Sequence, residues 1–356
     1  MAVPRAQIVD PNEKGLYHCF SRCVRRAFLM GPEHDHRRAW IETRLELLCS
    51  IFAADAAAHA AMGNHLHVLV RIDPPRVGQW SDEEVVRRWG RLHPASVMAL
   101  GGAPVKRGQP VPDELPDEVV AAVVRDRRQV QIYRQRLGSL SWFMKSLKEP
   151  LARMANAEDG VTGTFFESRF RSPRVLDLAG LLTCMTYIDL NPIHAGLAES
   201  LEDSLYTSVR LRLLALKRFV NSHVLRSTLS QADMAALQRK VDRELAESGD
   251  ETWMAPIGGD GDGAREPLLD MASTEYIAIV ESVGRTPDLR KRGSIPSHVR
   301  SVLETLRIDV NRWARVMRTT HRLFGTAIGT RASLAAEAAR RGVRWVVGAL
   351  DVCLTS

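Results

Sequence analysis

The chain has 356 residues, with 49 Lys and Arg against 42 Asp and Glu, a formal net charge of +7 and a pI near 9.4. That length gives room for two domains and an ample core. No apolar stretch approaches the 18 residues of a membrane-spanning helix, so a soluble protein is expected, and the arginine-rich basic excess favours a polyanionic partner.

In chain order, residues 12 to 75 read as strand, helix, strand: Leu16 to Val24, Ala39 to Phe52 and Ala58 to Ile72. The last of these contains Gly63-Asn64-His65-Leu66-His67-Val68-Leu69-Val70. Side chains alternate along a strand, so Leu66, Val68 and Val70 point into a core while His65 and His67 stand side by side on the other face. Such a pair can grip a metal ion, although histidines on a strand also serve structural roles. A second His-x-His, His34-Asp35-His36, follows Gly31-Pro32 and runs into a helical pattern, and it reads as a solvated helix start.

An insertion over about 76–160 opens with the capped start Trp80-Ser81-Asp82-Glu83-Glu84. It continues through the Gly- and Pro-rich loop Gly101 to Pro116 and a helical pattern from Glu118 to Asn156, and a strand is expected over Val161 to Phe170. Next, Leu178, Leu181, Leu182 and Met185 recur at the spacing of a helix that buries one stripe, with Asp177 as its cap and Pro192 near its end. At about 100° per residue Tyr187 lies about 180° from Leu178, away from the stripe, and Asn191 shares its face. These residues alone leave open whether Tyr187 packs on a second layer or projects as a reactive group.

Arg22, Arg25 and Arg26 follow the first strand, and Arg169 and Arg171 flank Phe166. Basic groups interleaved with aromatics suit a single-strand groove, charge for the backbone and rings for the bases, while any one arginine reads equally as part of a solvated face. Residues 201–246 read as a helical extension. The segment 247–270, with seven acids and one arginine, reads as a flexible Gly-rich linker. Beyond it, 271–356 reads as a basic, mostly helical accessory region with helical patterns at Val299 to Leu306 and Trp313 to Phe324. Five cysteines, with no Cys-x-x-Cys, and an N-terminus lacking an apolar signal region point to the reducing cytoplasm.

Four segments in order resemble the single-tyrosine HUH transposases, most closely the REP-associated tyrosine transposases. They are Gly15-Leu16-Tyr17-His18-Cys19-Phe20-Ser21-Arg22, Met62-Gly63-Asn64-His65-Leu66-His67, Gly163-Thr164-Phe165-Phe166-Glu167-Ser168-Arg169-Phe170 and Tyr187-Ile188-Asp189-Leu190-Asn191-Pro192. Gly63 departs from the Pro or Ser usual in the family. The resemblance covers roughly 10–200 and implies an α+β fold: a ferredoxin-like HUH core, an antiparallel sheet with helices on one face, carrying the helical insertion and the C-terminal region. It also implies His65, His67 and Asn191 as ligands of Mg²⁺ or Mn²⁺ and Tyr187 as the nucleophile. The implied activity is cleavage and transfer of single-stranded or hairpin DNA such as REP-like repeats, through a 5′-phosphotyrosine, by a monomer or a homodimer. Two other readings stay open on the residues: a domesticated relative that binds structured DNA or RNA without cutting, and a metal-dependent phosphoesterase of small nucleotides.

Overall fold

The architecture is that of a computed structural model, which describes residues 4, 7–106, 109–223, 253–258, 265–271, 273–284 and 326–346. The fold is α+β. Its sheet has five strands in the order β2-β3-β1-β4-β5, formed by β1 (Gly15–Arg22), β2 (Ala54–Ala61), β3 (His65–Ile72), β4 (Arg174–Val175) and β5 (Ala327–Ile328). Pairing is antiparallel except between β4 and β5, which run parallel.

The expected single strand from Ala58 to Ile72 is two strands. Met62-Gly63-Asn64 turns the chain between β2 and β3, and Met62 N donates to His65 O at 2.9 Å. Gly63 has a local reason. A Cβ there would come within 2.9 Å of the Phe28 ring, which lies across the turn. The expected strand over Val161 to Phe170 is instead irregular, touching the sheet through isolated bridges at Cys23–Phe166 and Phe20–Arg171. Phe165 and Phe166 are consecutive and both buried, which breaks the alternation a strand requires.

Helix α1 (Asp35–Ile51) covers one face of the sheet through Ile41, Leu45 and Leu48, against Leu66, Val68 and Val70 of β3. It starts at the solvated His34–His36 segment, as its polar sequence predicts. The buried Arg37 guanidinium ties it to the insertion, donating to Glu158 at 2.9 Å and also to Asp159. The insertion holds α2 (Pro74–Val77), α3 (Asp82–Gly90), α4 (Pro94–Leu100), α5 (Asp117–Val124), α6 (Arg127–Leu137) and α7 (Leu140–Glu158). Ser81 caps α3 by accepting from Glu84 N at 3.1 Å. The single helical pattern expected from Glu118 is cut by the Asp126 cap and by Gly138, so α5, α6 and α7 are separate.

The opposite face is covered as well, so the expectation of helices on one face is corrected. Helix α8 (Leu178–Asp189) lies over β2 and β3, where Ala58, Ala60 and Leu69 meet Leu182, Met185 and Ile188. Alanines on β2 leave no bulk between sheet and helix, which allows the close approach. Leu178 is 50 % exposed and stands outside the expected stripe. The remainder of α8 is buried nearly all round, because later segments close over its outer side: α9 (Asn191–His194), α10 (Ser208–His223) and the helix Ser273–Gly284, with Tyr276, Ile277 and Val280 in the same core.

Part of the segment expected to be a flexible linker is built into the cores on the two faces of the sheet. Met254 bridges to Ala56, Ala255 N donates to Ala56 O at 2.8 Å, and Trp253, Met254, Ala255 and Ile257 are buried. The acidic and glycine-rich average around this short apolar run hides it. Asp177 caps α8 by accepting from Gly180 N at 2.8 Å and also accepts from Thr330 N and Ser333 Oγ, tying the cap to the helix Arg331–Arg340. The helical patterns at Val299 to Leu306 and Trp313 to Phe324, and residues 224–246 of the extension, lie outside the described residues. Among the described residues no helix is long and apolar enough to cross a membrane.

Candidate active site

Register assembles one side of the site. Phe20 pairs with His67 and Arg22 with His65, so His18, Phe20 and Arg22 of β1 share a sheet face with His65 and His67 of β3. Helix α8 supplies the other side. Tyr187 meets His67 edge-on with ring centroids 5.6 Å apart, and Asn191, just past the helix end, reaches His65. The two histidines, Tyr187 and Asn191 therefore converge from segments about 120 residues apart.

Around them lies a cavity of about 270 Å³, lined among others by Phe20, Arg22, Glu167, Arg169 and Arg171. Arg22, Arg169 and Arg171 are exposed at its edge, as a phosphate-contacting role requires. Arg25 and Arg26 are exposed on the adjoining loop but do not line the cavity. Phe166, expected to stack on bases, is buried against Phe165 beneath the Lys148 ammonium and is a core residue. Phe20, half-buried under the Arg171 guanidinium, is the aromatic that faces the cavity.

His18 is the functional candidate that sequence reasoning passed over. It is fully buried, and its Nε2 lies 2.9 Å from His67 Nδ1. The signal was present in the period-two series His18, Phe20, Arg22, which places it beside the histidine pair. Burial depresses the pKa of His18 to about 3. Burial, followed by the neighbouring His65, His18 and Arg22 charges, also takes His67 well below the ordinary imidazole range, and burial lowers His65. All three rings are neutral near pH 7, the state in which imidazole is a metal ligand.

The hydrogen bonds around His65 decide which lone pairs face inward. Asn64 Nδ2 donates to Arg26 O at 3.3 Å, which leaves Asn64 Oδ1 to face His65 Nδ1 at 2.6 Å. The tautomer with the proton on Nδ1 satisfies that contact and presents a bare Nε2. Opposite it, at 3.0 Å, sits Asn191 Oδ1. A hydrogen bond between Asn191 and Tyr187 draws the phenol pKa down against the effect of burial. Two acceptors facing each other repel unless a cation lies between them. Adjacent ligands about 2.1 Å from an octahedral Mg²⁺ or Mn²⁺ stand about 3.0 Å apart, so this donor pair fits such an ion.

Tyr187 itself is raised above the usual phenol value, chiefly by burial. Without an added positive charge it is a neutral phenol. Among the described residues no group of three or more His, Cys, Asp or Glu side chains is placed to hold a metal.

No protein-family model matches the chain, and no curated protein matches it. Among solved structures, a REP-associated tyrosine transposase bound to a REP hairpin is a distant likeness. Its TM-score is 0.32 at 11 % identity, over 58 % of this chain and 82 % of that one.

Proposed function

We propose that this chain is a metal-assisted tyrosine nuclease and strand transferase of single-stranded or hairpin DNA, REP-like repeats being the substrate class that its motifs resemble. The observation that carries the reading is the convergence of Tyr187 and Asn191 on His65 and His67 beside a cavity edged by arginines. His65, His67 and Asn191 would hold Mg²⁺ or Mn²⁺, which when bound neutralises a non-bridging phosphate oxygen and makes phosphorus electrophilic. None of these three ligands carries a negative charge, so the anionic phosphate itself is a natural further partner for the ion.

Arg22, Arg169 and Arg171 hold the strand's phosphates, and Phe20 offers a face to a base. Tyr187 Oη attacks phosphorus as its phenol proton departs. The bond to the upstream 3′-oxygen breaks, and that oxygen takes up a proton to leave as a 3′-hydroxyl. The product is a 5′-phosphotyrosine, whose ester conserves the bond energy for attack by a second 3′-hydroxyl. The test is direct: full-length protein, Mn²⁺ and a labelled hairpin with a single-stranded flank should give a denaturation-resistant protein–DNA adduct. Peptide mapping should find it on Tyr187. Tight hairpin binding with no adduct under any metal would replace this reading with the non-cleaving binder.

A further inference from the structure

The nuclease reading leaves unexplained why a loop of two left-handed arginines sits against the turn that precedes His65. Arg25 and Arg26 both have φ of 55°, a conformation rare for residues bearing a Cβ and one that costs energy wherever the surroundings enforce it. The loop closes through Arg26 N to Cys23 O at 3.0 Å and Ala27 N to Val24 O at 3.1 Å. Asn64 grips it twice. Its backbone oxygen accepts from Cys23 N at 2.8 Å, and its side-chain Nδ2 donates to Arg26 O at 3.3 Å. The other end of the same amide, Oδ1, faces His65 Nδ1 at 2.6 Å.

An asparagine amide has one donor end and one acceptor end, so fixing one fixes the other. With Nδ2 committed to a peptide oxygen, Oδ1 can only accept, and His65 must donate to it from Nδ1. We propose that Asn64 is a positioning residue that sets the His65 tautomer and makes that setting depend on the Arg25–Arg26 loop. Histidines that bind metals ordinarily have the second ring nitrogen oriented in this way by a neighbouring acceptor. What is unusual here is that the acceptor is itself held by the carbonyl of an exposed arginine. A nucleic-acid phosphate drawn to Arg25 or Arg26 pulls on the loop that keeps Asn64 turned. The consequence for Nε2 rests on the nuclease reading; the tautomer does not.

The experiment is ¹⁵N NMR of the imidazoles in the metal-free, full-length protein, for the wild type, Asn64→Asp and Asn64→Leu. The wild type should show His65 protonated on Nδ1. Asn64→Asp retains the acceptor and should retain that tautomer. Asn64→Leu should move the proton to Nε2, where Asn191 Oδ1 accepts it, and should weaken binding of Mn²⁺ alone by about 10- to 100-fold. A wild-type His65 protonated on Nε2, or the same tautomer in Asn64→Leu as in wild type, overturns the proposal. The wild-type spectrum is decisive even if the leucine variant fails to fold. An Nδ1–H tautomer in a protein that forms no adduct on any strand would uphold the role of Asn64 while removing the nuclease.

Discussion

The two sides of the C-terminal turn of α8 are both polar and buried, and they treat their polar atoms in opposite ways. On the back, Asp189 is fully buried and saturated: Ser208 Oγ and Tyr276 Oη donate to it in short hydrogen bonds, and Val209 N donates at 3.1 Å. On the front, Asn191 Oδ1 faces His65 Nε2 at 3.0 Å, and Tyr187 meets the rings of His67 and His18 edge-on. Saturation makes a polar cluster a structural clamp, whereas the front keeps its polar groups directed at the cavity. The back thereby holds still what the front has to aim.

The sharpest way to break that contrast is on the front. Tyr187→Phe removes one oxygen from a half-buried ring that otherwise keeps its packing against His67. The expected outcome is complete loss of covalent adduct and strand transfer in a gel assay, with a melting temperature within a few degrees of wild type. An adduct formed at the wild-type rate would remove Tyr187 from the mechanism and leave the fold intact.

On the back the outcome should invert. Asp189→Ala strands Ser208, Tyr276 and the Val209 amide without their acceptor, at about 1–3 kcal/mol for each group that water cannot reach. Urea unfolding should show a loss of at least about 3 kcal/mol, and activity should fall only as far as the folded fraction and the aim of Tyr187 fall with it. Tyr276→Phe is the milder form, removing one donor for about 1 kcal/mol. A silent Asp189→Ala would mean that the helix Ser273–Gly284 does not brace α8.

These contrasts also separate what the sequence made legible from what it did not. The Asp177 and Ser81 caps, the helix carrying Tyr187 and the alternation that sets His65 opposite Leu66 all follow from local rules, and the structure has them. The clamp behind α8 was not legible, because Asp189, Ser208 and Tyr276 are joined only by the fold. The strand β2 was half missed because its sequence, Ala54-Asp55-Ala56-Ala57-Ala58-His59-Ala60-Ala61, favours helix by intrinsic propensity, and only burial on both faces makes it a strand. Phe166 looked like a base-stacking ring because aromatics beside arginines read the same way in a groove and in a core.

Acid should distinguish the two sides in sign. The folded-state pKa of His18 lies near 3, below the imidazole value of 6.5, so folding favours its neutral form. Its contribution is complete above 6.5 and is lost as the pH falls toward about 3. Asp189 is raised, chiefly by burial, so its contribution is greatest below the ordinary carboxylate value of 3.8 and declines as the pH rises through the folded value. In EDTA, urea midpoints measured from pH 7.5 down to 4.5 should fall more steeply for wild type than for His18→Gln. Asp189→Asn should gain on wild type as the pH rises. Equal slopes for wild type and His18→Gln would show that His18 is not held neutral by its surroundings.

The smallest effect is expected at the loop, where function and stability should part company in a single substitution. Arg26 has a φ of 55° that glycine adopts freely, so Arg26→Gly relieves backbone strain and should raise stability by about 1 kcal/mol. It also deletes an exposed positive charge beside the cavity. If that charge meets a phosphate, the salt dependence of binding to single-stranded DNA should flatten by about 0.7 in its log–log slope, one counterion-releasing contact fewer. Arg25→Gly should behave alike, at its own φ of 55°. Greater stability together with a shallower slope is the signature of strain kept for binding. Greater stability with an unchanged slope would make the loop a structural connection to Asn64 whose arginines touch no phosphate.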